Sequence, residues 1–207
     1  MKKLKIIMLG RACVGKTSIL YRFSHNTFST SILSTNGMEY FNFNLEIDQN
    51  KYFIRVLDTA GQDSYTNILN LYVRDANGVF LVYDISDKKS FRILDKYIAL
   101  LEEKCIYKPV VLLIGNKCDL DKKDRVITLE MGMDYAKKKK VNFIETSAKK
   151  SENIEKAFRF IVELMVEKQK HHNIIEDVKS NKKAVSLNTI TNNQNNNDYK
   201  EKKKSCC

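Results

Sequence analysis

Residues Gly10-Arg11-Ala12-Cys13-Val14-Gly15-Lys16-Thr17 follow the pattern G-x-x-x-x-G-K-[ST], and each fixed position in it has a chemical reason. The glycines let the backbone curl until successive N–H groups point at one anion. Lys16 is a point charge able to reach the outer phosphates of a nucleotide, and the Thr17 hydroxyl is a hard oxygen ligand for Mg2+. Ser18 and the residues after it read as the start of a helix, whose free N–H groups and positive dipole end face the same anion. A second element is Asp58, a carboxylate that ends the run Ile54-Arg55-Val56-Leu57 and is placed to hold Mg2+ directly or through water. A third, Asn116-Lys117-Cys118-Asp119, closes another apolar run. The two acceptor oxygens of Asp119 match the adjacent N1–H and N2 amine donors of guanine. Adenine presents no such pair, and binding it would bury an unpaired carboxylate. The fourth, Glu145-Thr146-Ser147-Ala148-Lys149, follows Val141-Asn142-Phe143-Ile144. The last two are weak signals singly, but all four in this order are very specific.

These elements need a scaffold that delivers them to one edge. Gly78 to Tyr83 and Val110 to Ile114 are continuous apolar runs, as suits strands covered on both faces of a parallel sheet. Phe41 to Ile47 instead alternates strictly, which predicts a half-exposed strand. Asp48-Gln49-Asn50 turns it into Lys51 to Leu57, giving one antiparallel hairpin. Pro109 heads a strand, where no ladder donor is required. Helical spacing joins Phe91, Leu94, Ile98, Leu101 and Cys105, and again Ile154, Phe158, Ile161 and Met165; a third helix is expected from about Thr128 to Lys138. The sum is a doubly wound α/β fold: a mostly parallel six-stranded sheet with one antiparallel edge strand. Ligands of such sheets sit at the carboxyl ends of the strands, where the four elements lie.

The 207 residues suffice for one substantial domain and an appendage, placed at 1–169 and 170–207. A 43% hydrophobic and 29% charged composition is that of an ordinary globular protein. No stretch approaches the ~18 consecutive apolar residues of a membrane span. The apolar run Ile6 to Leu9 is also too short for an export signal, so it reads as a first strand. Cys13, Cys105, Cys118, Cys206 and Cys207 lack zinc-ligand spacing, and a reducing compartment is expected. The net charge of +11 suggests an anionic partner, nucleic acid or an acidic membrane surface. Lys137 to Lys140 close a helix and complement its dipole there. No base-stacking aromatic cluster accompanies the lysines, so nucleic acid is not expected. Residues 170–207 hold eight lysines against four acidic residues and a tract of asparagines from Asn192 to Asn197, which predicts a disordered basic tail.

With these motifs the sequence resembles the Ras superfamily of small GTPases over about residues 4–168, and within it the Rab branch. The branch is supported by Asn36-Gly37-Met38-Glu39-Tyr40-Phe41, Leu71-Tyr72-Val73-Arg74-Asp75-Ala76-Asn77-Gly78, Leu81-Val82-Tyr83-Asp84-Ile85-Ser86 and the terminal Cys206-Cys207. The resemblance implies a GTP/GDP switch that hydrolyses GTP slowly, with Mg2+ held by Thr17, Thr35 and Asp58. It implies that Thr35 and the Gly61 N–H latch on the γ-phosphate and that Gln62 orients the attacking water. It also implies that Phe28 packs on the guanine, Lys117 lies against the base, and the Ala148 N–H meets the guanine carbonyl, with Asn116, Ser147 and Lys149 in the same loops. When the γ-phosphate leaves, the segments around 28–40 and 60–76 lose their anchor. Effectors, an exchange factor, a GTPase-activating protein, an escort protein with its prenyltransferase and a GDP-dissociation inhibitor are the implied partners.

Cys206 and Cys207 then imply twin prenylation, with the protein cycling between cytosol and the cytoplasmic face of an intracellular membrane in vesicle traffic. The sequence departs from the Rab pattern at Asn36, at Leu57 where a tryptophan is usual, and at Ser64-Tyr65, all expected on the nucleotide-sensing surface. Ala12 and Cys13 stand where Gly or Ser is frequent, and a methyl at 12 is placed to crowd an incoming catalytic group. A GTP-binding scaffold with little hydrolysis, a Ras-type signalling GTPase and a salt-sensitive nucleic-acid binder are the alternatives to a Rab-like switch.

Overall fold

The computed structural model describes residues 2–30, 35, 37–59 and 66–170. Gly61, Gln62, Asn36, Ser64, Tyr65, Cys206 and Cys207 therefore lie outside the described residues. The chain divides into two units, Met1–Met165 and Val166–Cys207. Of the second, residues 166–170 are described, and they are helical.

The first unit is built on a six-stranded sheet. Its strands are β1 (Lys2–Leu9), β2 (Met38–Ile47), β3 (Asn50–Thr59), β4 (Gly78–Asp84), β5 (Val110–Asn116) and β6 (Asn142–Thr146). They lie in the order β2-β3-β1-β4-β5-β6. Every neighbouring pair is parallel except β2–β3, so the antiparallel edge strand expected from the alternating run is β2. Its pattern follows from a half-covered position: Phe41 and Ile47 are buried while Asn42, Asn44 and Glu46 face out. β4, buried at all seven positions, is the opposite case. Asp48 and Gln49 form the β2–β3 turn with φ of 49° and 61°, and Ile47 pairs with Asn50 across it. Two left-handed residues in a two-residue hairpin loop match the right-handed twist of the strands.

The helices are α1 (Lys16–His25), α2 (Thr66–Val73), α3 (Lys88–Arg92), α4 (Leu94–Lys104), α5 (Leu129–Lys139) and a last one, α6, over 154–165. The spacing of Phe91 to Cys105 predicts one helix, and the chain makes two. Asp87 caps α3 by accepting from the Lys89 N–H at 2.8 Å. Ile93 then interrupts the run before α4 begins. A one-residue interruption leaves the apolar faces in register, which is why periodicity does not see it. α5 begins after Thr128, whose hydroxyl accepts from the Met131 N–H at 3.2 Å. The eight residues of α2 are too few for a periodic signal. On one face of the sheet Phe23 and Phe158 stack at 3.9 Å, with Phe43 and Phe80 edge-on to Phe158.

Leu57 corrects an expectation. It is fully buried in the core beside Ile7, Leu81 and Val73, not placed on a surface. By this point β3 is paired on both sides, to β1 through Ile7 and to β2 through Tyr40. No helix of the described residues is long and apolar enough to cross a membrane.

Candidate functional site

The sheet order places β1 beside β4, with the chain running from β1 to the β2–β3 side and from β4 to the β5–β6 side, so the loops after these two strands diverge. The Gly10–Lys16 loop rises from that point. Gly10 has φ of 148°, and a Cβ there would stand 2.2 Å from the Val82 carbonyl oxygen of β4. Gly15, with φ of 94°, would drive a Cβ to 2.3 Å from Asn116 Nδ2. Only glycine fits either place. Cys13 has φ of 64° and Lys117 has φ of 69°, left-handed conformations that side chains adopt at a cost and that gather at binding loops.

Lys16 opens α1 and is only 5% exposed. Its ammonium donates to the carbonyls of Gly10 at 2.9 Å and Arg11 at 3.0 Å. Burial pulls its pKa down to about 8, opposed chiefly by the charge of Asp58. The desolvated cation is thus held by loop dipoles at the place where a phosphate would supply full charge. The Arg11 side chain turns elsewhere, pairing with Asp87 at 2.8 Å.

Beside Lys16, three oxygen-bearing side chains converge. Thr17 Oγ1 donates to Asp58 Oδ2 at 2.5 Å, Thr35 Oγ1 donates to the same oxygen at 3.3 Å, and the two hydroxyls are 2.8 Å apart. Asp58 is fully buried. Burial raises its pKa, against the pull of the Thr17 bond, the Lys16 charge and the Thr35 bond. Its other oxygen, Oδ1, is buried with no hydrogen-bond partner among the described residues. Two hydroxyls and a carboxylate with a spare buried oxygen suit a hard, oxygen-seeking cation that keeps further places for water and phosphate.

The base end is held by long-range braces. Asn116 Nδ2 donates to the Val14 carbonyl at 2.8 Å, while its Oδ1 accepts from Thr146 Oγ1 at 3.1 Å. It thereby ties the phosphate loop to both later loops. Ser147 Oγ donates to Asp119 Oδ1 at 2.6 Å, fixing one oxygen of the carboxylate. Lys117 Nζ meets Asp84 Oδ2 at 2.6 Å. The Cys118 N–H donates to the Thr146 carbonyl at 3.1 Å.

A cavity of about 430 Å³ runs through this arrangement, lined by Ala12, Cys13, Gly15, Lys16, Thr17, Ser18, Phe28, Thr35, Asn116, Lys117, Asp119, Ala148 and Lys149, with Ser29, Thr30, Thr59 and Leu120. Gly10, Arg11, Val14, Asp58 and Ser147 are absent from its lining. They act on it through their partners: the Gly10 and Arg11 carbonyls hold Lys16, Val14 holds Asn116, Asp58 holds Thr17 and Thr35, and Ser147 holds Asp119. Sequence reasoning missed Ser29, Thr30, Thr59 and Leu120 in the lining, and Asp84 beside Lys117. The available signal for Asp84 is its place, a carboxylate ending an apolar strand as Asp58 does.

Residues 5–167 match the sequence profile of the Ras family. The chain is 38% identical to the Ras-related protein Rab-10 of Diplobatis ommata over 164 residues, 79% of this chain and 82% of that one. Against Rab-8B of Homo sapiens identity is 39% over 154 residues, 74% of each chain. Against Rab-11B of Dictyostelium discoideum it is 36% over 193 residues, 93% of this chain and 82% of the relative. With the phosphate loop and both base loops brought to one cavity, and with relatives of this kind along most of its length, the chain belongs to the Ras family and is a Rab-like, GTP-hydrolysing small GTPase.

Proposed function

We propose that residues 1–169 form a GTP/GDP switch serving vesicle-mediated membrane traffic, and that residues 170–207 attach it to a membrane. One observation carries the switch reading: the Thr35 hydroxyl, from the segment between α1 and β2, sits against Thr17 and Asp58 at the end of the phosphate loop. The position of Thr35 is therefore coupled to whatever the cavity holds. Thr17, Thr35 and Asp58 are the residues that would hold Mg2+, which when bound supplies positive charge to the β- and γ-phosphate oxygens. Lys16 and the loop N–H groups position the phosphates. Thr35 and the Gly61 N–H grip the γ-phosphate, and Gln62 orients the attacking water. After hydrolysis Thr35 and Gly61 lose that grip, so effectors that fit the gripped surface leave. Phe28, Lys117, Asp119 and Ala148 hold the guanine.

Nucleotide competition tests this. Release of a fluorescent GDP is expected to be slow with Mg2+ present and to accelerate about tenfold or more when the cation is chelated. ATP is expected not to compete at any practical excess. Release indifferent to chelation removes the Thr17–Thr35–Asp58 cation site, and competition by ATP removes the guanine reading.

Lys202-Lys203-Lys204-Ser205-Cys206-Cys207 sets two adjacent cysteines behind a run of lysines. Twin prenylation by an escort protein and prenyltransferase accounts for it. A single lipid chain gives only reversible attachment, whereas two chains anchor stably. The lysines add about 1 kcal/mol each near an anionic leaflet. Retrieval by a GDP-dissociation inhibitor would return the protein to cytosol. Replacing both cysteines by serine is expected to leave the protein wholly in the soluble fraction with nucleotide binding intact, and Cys207→Ser alone to weaken or misdirect attachment. A double variant that still pellets with membranes rules out lipidation as the anchor.

A further inference from the structure

The base loop after β6 is braced internally. Ser147 and Glu152 exchange backbone hydrogen bonds at 3.1 and 3.0 Å, the Lys150 N–H donates to Ser147 Oγ at 2.9 Å, and Asn153 Nδ2 donates to the Glu145 carbonyl at 2.9 Å. None of these bonds uses the carbonyls of Ala148 and Lys149 at the loop's tip. One guanidinium takes both: Arg22 Nε donates to Ala148 O at 2.8 Å and Nη2 to Lys149 O at 3.2 Å. Its third nitrogen, Nη1, donates to Asn26 O at 2.8 Å and to Asn26 Oδ1 at 3.1 Å. Asn26 is the left-handed cap of α1, with φ of 52° and its N–H bonded back to the Arg22 carbonyl at 3.1 Å. Two residues beyond it stands Phe28, which lines the same cavity as Ala148 and Lys149.

All three nitrogens of one rigid, planar fork are thus committed, toward two separate walls of the base end. A fork of diverging donors fixes orientation as well as distance, which a single ammonium does not do. The side chain also stands in the last turn of α1, where a cation complements the helix dipole. α1 begins at Lys16 in the phosphate loop, which lines the other end of the cavity, so through Arg22 one helix serves both ends.

We infer that Arg22 is a positioning residue for the guanine: it sets the pitch of the Ala148–Lys149 turn and, through Asn26, the start of the segment bearing Phe28. The inference rests on the reading that the Ala148 N–H meets the guanine carbonyl. A staple that merely held the fold together would loosen every nucleotide alike. A positioning residue acting through Ala148 weakens the reading of the guanine 6-position and leaves the 2-amino reading by Asp119 in place.

The test uses the full chain as wild type, Arg22→Ala and Arg22→Lys, with GDP, 6-thio-GDP (altered only at the 6-position) and IDP (lacking the 2-amino group). Arg22→Ala is expected to release GDP about tenfold faster or more, Arg22→Lys by an intermediate factor. The preference for GDP over 6-thio-GDP should shrink several-fold, while the preference for GDP over IDP stays within about twofold. If Arg22→Ala does not fold, Arg22→Lys carries the same two readouts. GDP release in the folded variants within about twofold of wild type overturns the assignment, as does faster release with both preferences unchanged. A wild-type protein that does not hold GDP defeats the guanine reading itself, and the assignment with it.

Discussion

A chain carrying Asp119→Asn is expected to exchange its base: affinity for GTP and GDP falls by about a thousandfold or more, while the xanthine nucleotides gain. The local geometry makes the argument stronger than the motif alone does. Ser147 Oγ donates to Asp119 Oδ1 at 2.6 Å, so in the variant the amide oxygen keeps that bond and the amide nitrogen takes the other place. A donor there opposes the guanine 2-amine, also a donor, and leaves both unpaired in a partly buried site. Xanthine has a carbonyl at that position and accepts from the amide. Because asparagine is isosteric with aspartate, the loop is retained and the effect falls on the base alone. Competition titrations with GTP and XTP decide it, and an unchanged GTP affinity would take Asp119 out of the site.

The second large effect concerns the chemical step. No arginine or lysine occurs from His25 to Met38, and the one arginine of the phosphate loop, Arg11, is committed to Asp87 at 2.8 Å. Among the described residues that line the cavity, Lys16 is the one basic side chain at the phosphate-loop end, Lys117 and Lys149 belonging to the base loops. Single-turnover hydrolysis by the isolated protein is expected to be slow, with an arginine from an activating protein worth about a thousandfold or more. On the proposed role of Gln62 in orienting water, Gln62→Leu, which keeps the volume but deletes the polar groups, is expected to slow the intrinsic rate and abolish most of the stimulated one. The Ala12 methyl lines the cavity, and a stimulated rate that stays low in wild type would favour a GTP-holding scaffold. A fast intrinsic rate, or a Gln62→Leu protein equal to wild type, contradicts the assignment.

What the sequence made legible and what it hid have a common physical reason. Strands buried on both faces, such as β4, announce themselves as apolar runs, and the half-covered β2 by alternation. The loops could be read because their chemistry sits in consecutive residues. The braces could not, because each joins positions far apart in the chain: Asn116 with Val14, Lys117 with Asp84, Arg22 with Ala148. The sequence marks Asn116 only as the head of the Asn-Lys-x-Asp loop; the structure adds its bonds to Val14 and Thr146. Leu57 misled for a related reason. Its placement depends on pairing to both β1 and β2, and a run of apolar residues does not say which of its faces is covered.

The single bond from Asn116 to the Val14 carbonyl has a consequence for affinity. It fastens the part of the protein that recognises a phosphate chain to the part that recognises a purine, so the two act as one chelating host. A nucleotide is then a two-headed guest whose second head binds at the effective concentration set by the first. A free base or a free pyrophosphate meets only half of that host and forgoes the chelate gain. Departure follows the same logic in reverse: one head must lift while the other still holds, and re-seats unless something occupies the vacated half. A regulator that pries at either end therefore weakens both without ever touching the other.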